Sequence, residues 1–73
     1  MLIRRKILVS PSQLDALIDF SYDLHEGYGL SINDYTPSLN SLGVVKYYRV
    51  SFYVEKHKTQ RDIVQTLKWC GIF

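Results

Sequence analysis

Residues 4–9 alternate in the manner of a strand. Ile3, Arg5, Ile7 and Val9 fall on one side, Arg4, Lys6 and Leu8 on the other. The pattern changes at Ser10-Pro11-Ser12-Gln13, which carries the chemistry of a helix start. Ser10 suits the N-cap, Pro11 the first helical position, and Gln13 closes a capping box. At about 100° per residue, Leu14, Leu17, Ile18, Phe20 and Leu24 share one apolar side. This spacing predicts one helix running to about Glu26, with Gly27 placed to stop it in a left-handed turn.

Gly27-Tyr28-Gly29 then reads as a turn, and Leu30 to Tyr35 as a short strand with Leu30 and Ile32 alternating against Ser31 and Asn33. Thr36 to Gly43 has loop chemistry, with Pro37, Ser38, Asn40, Ser41 and Gly43 interrupting any period. Leu39 and Leu42 within it are either tucked under the domain or left outside. Val44 to Glu55 is rich in β-branched and aromatic residues. Tyr48, Val50, Phe52 and Val54 form its inward row; Tyr47, Arg49, Ser51, Tyr53 and Glu55 form its outward row. A second helix follows, capped by Thr59 with Asp62, its seam made of Ile63, Val64, Leu67 and Cys70. Gly71 ends it, leaving Ile72 and Phe73 to pack back or to start an edge strand.

The predicted order is β-α-β-β-α, a single α+β domain over residues 1–73. This is a truncated ferredoxin-like arrangement, in which two helices cover one face of an antiparallel sheet and leave the other open. At 73 residues the core is near the lower limit for a self-supporting domain. Six tyrosines, three phenylalanines and one tryptophan enlarge what so short a chain can bury.

Charge changes the picture because it is sorted. Residues 1–9 carry Arg4, Arg5 and Lys6 and no acid; residues 10–43 carry Asp15, Asp19, Asp23, Glu26 and Asp34 and no lysine or arginine. Residues 44–73 carry six bases against Glu55 and Asp62. A fold that keeps this order has one negative and one positive face, and such faces select partners by sign.

The acidic stripe is the sharpest candidate. On one helix, Asp15, Asp19, Asp23 and Glu26 would lie within about 80° of arc and about 16 Å of axis. Like charges at i, i+4 cost about 0.2–0.5 kcal/mol per pair, and acids near a helix C-terminus oppose its dipole. The ordinary role of such a stripe is a solvated face. Its functional role would be docking onto a larger protein with a basic surface or groove, with Tyr22, Tyr28 or Trp69 as apolar contacts.

The second candidate is the open sheet face. Arg4 and Lys6 would share it with Tyr47, Arg49 and Tyr53, interleaving cations with rings as single-stranded nucleic-acid platforms do. The run Lys46 to Tyr53 meets the third-strand consensus of the RNA-recognition motif at its first, third and last positions only, so the family is not assigned.

Other chemistry finds little support. His25, Glu26, His57 and Cys70 have no zinc-ligand spacing, so neither metal nor cofactor is expected. His25 is expected to be a partly buried structural residue. No phosphate loop, dinucleotide fingerprint or nucleophile elbow is present, and the chain is read as no enzyme. The lone Cys70 forms no internal disulfide, and no run approaches the roughly 18–20 apolar residues of a membrane span. The expectation is a cytoplasmic regulator or inhibitor, similar in size alone to phage and mobile-element inhibitors. The alternatives are a nucleic-acid binder on the sheet face and a self-associating protein whose acidic helix meets its basic sheet.

Overall fold

The alternation near the N-terminus becomes strand β1 (Leu2–Val9), and a capping box opens helix α1 (Pro11–Asp19). Ser10 Oγ accepts the Gln13 N–H at 3.2 Å, and the Gln13 side chain accepts the Ser10 N–H at 2.7 Å. In the computed structural model, which covers residues 1–73, there follow α2 (Ser21–Tyr28), β2 (Ser31–Leu39), β3 (Val45–Glu55) and α3 (Gln60–Trp69).

The sheet order is β1-β3-β2, with both outer strands antiparallel to β3. β1 and β2 are therefore parallel to each other on either side of it. The result is a small α+β domain with three antiparallel-paired strands and three helices. Helix α3 packs over β1, α1 over β3 and α2 over β2. Val50, Phe52 and Val54 of β3 meet Leu17, Leu24, Ile63 and Leu67 in the core, none of them exposed. Each such side chain contributes about 1.5–3 kcal/mol by leaving water.

The expected order β-α-β-β-α needs one correction. The helix predicted from Pro11 to Glu26 is broken at Phe20, whose φ of −98° and ψ of 7° fall outside helical values. No glycine or proline marks the break in the sequence. Its physical basis is tertiary: α1 lies on the central strand and α2 on the neighbouring one, so the chain must step sideways by about the 4.8 Å between strands. Gly27 is not the left-handed stop either. It stays helical, and Gly29 takes the turn at φ 69° while the Leu30 N–H closes onto the Leu24 carbonyl at 2.9 Å.

β2 also runs past its expected end at Tyr35, through residues read as loop, to Leu39. Pro37 is tolerated because β2 is an edge strand, where a missing N–H need not break a ladder. The true connection is short. Asn40 Oδ1 accepts the N–H groups of Leu42 at 2.8 Å and Val44 at 3.1 Å. Leu39 and Leu42 are left outside, with Leu42 84% exposed. At the other end, Ile72 and Phe73 pack back on the core, both N–H groups reaching the Leu67 carbonyl, at 3.0 and 3.3 Å.

Candidate functional site

The open face of the sheet is a lattice of cross-strand neighbours. Lys6 of β1 stands opposite Ser51 of β3, and Asp34 of β2 stands on the other side of Ser51. In the next row Leu8, Arg49 and Thr36 are aligned; beyond it Tyr47 faces Ser38. In the opposite direction Arg4 pairs with Tyr53. Two residues along a strand is about 7 Å, so Tyr47 and Tyr53 stand about 20 Å apart, with Arg49 and Ser51 between them.

A groove of about 380 Å³ follows this lattice, lined chiefly by Arg4, Lys6, Asp34, Tyr47, Arg49 and Ser51. Arg4, Lys6 and Arg49 are exposed, and none forms an ion pair within the chain. Ser51 is the floor. It is only 2% exposed, and its Oγ has no hydrogen-bond partner. A buried hydroxyl left unmet costs about 1–3 kcal/mol.

The helical face is built differently. Asp15 and Asp19 lie on α1, Asp23 and Glu26 on α2, so the stripe is divided at Phe20 instead of running along one axis. All four are exposed, and no lysine or arginine reaches any of them within 4.0 Å; Glu26 has only the His25 ring, at 4.0 Å. Beside them Tyr22 is 74% exposed, next to a shallow hollow it lines with Ile18, His25 and Ile32.

Tyr28 and Trp69 stand apart from Tyr22. Lys58 Nζ donates to the Tyr28 carbonyl at 3.0 Å, joining the end of α2 to the turn before α3. The Cys70 thiol beside the Tyr28 phenol, together with desolvation and the charge of Asp23, holds that phenol above its ordinary pKa. Trp69 is 75% exposed, and the terminal residues do not fold over it. His25 is exposed, not partly buried, because α2 presents it to the edge of β2, where its Nδ1 meets Ser31 Oγ at 2.6 Å.

Of the residues singled out in the sequence, Arg4, Lys6, Tyr47 and Arg49 come together in one groove, while Tyr53 pairs with Arg4 without lining it. The four acids share a layer but not one helix, while Tyr22 and Trp69 lie on different helices. Asp34, Thr36 and Ser38 were missed as lining residues. A period of two continued from Leu30 and Ile32 would turn them to the helix side; the register shift between Ile32 and Asp34, which no residue pattern announces, turns them to the open face. No three histidine, cysteine, aspartate or glutamate side chains gather in a metal-sized cluster. No helix is long and apolar enough to cross a membrane. In comparisons with known proteins, the chain matches no family model, no curated protein and no solved structure.

Proposed function

We propose that this domain acts by binding, without catalysis, as a small regulator or inhibitor of a larger protein that presents a basic surface or groove. Its scaffold is a truncated ferredoxin-like arrangement, with α1 and α2 together taking the place of one crossover helix. Asp15, Asp19, Asp23 and Glu26 meet the partner's cations, and Tyr22, Tyr28 or Trp69 adds apolar contact at the margin. The carrying observation is that these four carboxylates are exposed and receive no lysine or arginine from their own chain. A face already neutralised from within would have little to offer a basic partner; this one is free to occlude a cleft shaped for phosphates.

The test is capture from host lysate with the wild type and an Asp19→Lys, Asp23→Lys variant of equal urea midpoint. The variant is expected to lose the captured partner, and the wild-type complex to weaken as salt rises. Capture of the same partner in equal yield by both proteins ends this reading.

One observation favours a second reading, a single-stranded nucleic acid on the sheet face. Three cations without intramolecular partners line one groove with Tyr47, and Tyr53 stands opposite Arg4 in the sheet. Oligonucleotide titration at two salt concentrations tests it; binding should fall with salt and be lost on changing Arg49 and Tyr53 to alanine.

A further inference from the structure

The groove on the open sheet face is not simply basic. Its cations come from β1 and β3: Arg4, Lys6 and Arg49. Its opposite wall is β2, which contributes the Asp34 carboxylate and the hydroxyls of Thr36 and Ser38. Between the walls, in the same cross-strand row as Lys6 and Asp34, lies the unpartnered Ser51 Oγ. A plain anion is matched by one wall and repelled by the carboxylate of the other. A ligand that suits both has an oxyanion at one end and a hydroxyl donor close to it.

We infer that this groove is a ribonucleotide site, in which a phosphate lies against Arg4, Lys6 and Arg49 with the Ser51 hydroxyl donating to it, and a ribose hydroxyl donates to Asp34. The base is left to the flanking rings, since Tyr47 and Tyr53 each present a flat platform and are too far apart to clamp one base together. Arginine and lysine take phosphate by charge-assisted hydrogen bonds. The ribose hydroxyl is the group that distinguishes RNA from DNA. Lys6 and Asp34 are both exposed and flank Ser51, so their side chains can rotate aside to admit a ligand oxygen. This inference rests on the nucleic-acid reading of the sheet face and adds to it the sugar and the residues that select it.

The source of the nucleotide is either a free monomer or a unit within a strand, and the experiment separates these. Backbone amide shifts are followed while the protein is titrated with adenosine monophosphate, its deoxyribose counterpart, and short oligoadenylates of RNA and DNA, against chloride at equal ionic strength. Saturable shifts at Ser51, Arg49 and Asp34 are expected, with the ribose form tighter by about tenfold, the scale of one hydrogen bond to a charged group. Saturation by the monomer assigns a free nucleotide; saturation by the RNA strand alone assigns a strand.

Asp34→Asn should remove the ribose preference while phosphate is still bound. Ser51→Ala should weaken both sugars and raise the melting temperature, because it deletes an unmet hydroxyl, so lost binding cannot be ascribed to unfolding. Equal binding of RNA and DNA strands overturns the inference and leaves the second reading standing. Shifts no larger than those with chloride end both, and tight ribonucleotide binding unchanged by Ser51→Ala also overturns the site.

Discussion

The two charged faces of this domain are built by different means. The cationic face is a property of one sheet: its positions follow from strand alternation and from a register running from Leu2 opposite Glu55 to Val9 opposite Tyr48. The acidic face is shared by two short helices that meet at Phe20, and its geometry depends on how each sits on a different strand. Alternation survives tertiary adjustment, because a slip of one residue would turn every side chain over and expose the core. Helical stripes do not survive it in the same way. A single non-helical residue re-aims everything beyond it.

The largest effect should come from the residue beneath both faces. Phe52 has no exposed surface and lies in the core between the sheet and the helices. Phe52→Ala should cost about 3–5 kcal/mol, enough to unfold a marginal domain, and urea denaturation would measure it. Both faces should fail together. Retention of either would mean that it folds without the shared core.

A smaller change separates them. Gly29→Ala places a side chain at φ 69° and should cost about 1 kcal/mol, loosening the end of α2 and with it Asp23 and Glu26. Gly27→Ala, within α2, meets nothing within 4 Å and should add up to about 1 kcal/mol through helix propensity. Thermal melts of the pair should move in opposite directions, while amide shifts in the groove stay constant. Equal effects would refute the placement of the left-handed turn.

The last expected effect is local to the cap of α3. Asp62 accepts hydrogen bonds from the Thr59 N–H at 2.9 Å and Oγ1 at 3.1 Å, which hold its carboxyl below the ordinary pKa. A depressed folded value contributes stability above the unfolded pKa and loses it as pH falls through the folded one. Thr59→Ala should cost about 1 kcal/mol near neutral pH. Its penalty should shrink on acidification, read as converging urea midpoints of the two proteins.

Much of this fold was legible from residue type and spacing. Ser10 with Gln13, Thr59 with Asp62 and the rows of β1 and β3 are local devices, set by hydrogen bonds or alternation within a few residues. The break at Phe20 was not legible, since it answers to which strand lies beneath each half of the helical segment. The length of β2 was obscured by Pro37, which is unfavourable in a central strand and harmless at an edge. One wall of the groove was hidden with it, because Asp34, Thr36 and Ser38 reach the open face only through the register shift after Ile32 and the continuation of the strand to Leu39. Arg4, Lys6, Tyr47 and Arg49 lie on the open face to which alternation along β1 and β3 assigned them.

The outer margin of β1 has a consequence for behaviour at high concentration. No fourth strand lies against it, and eight residues in regular extension would ordinarily invite another copy to add on. The Gln60 amide already occupies the Lys6 carbonyl, the Arg5 guanidinium is engaged with the Lys58 carbonyl, and Arg4 and Lys6 carry like charge along the same margin. The fold thus covers part of this free edge with side chains of its own, leaving another strand fewer backbone groups to pair with.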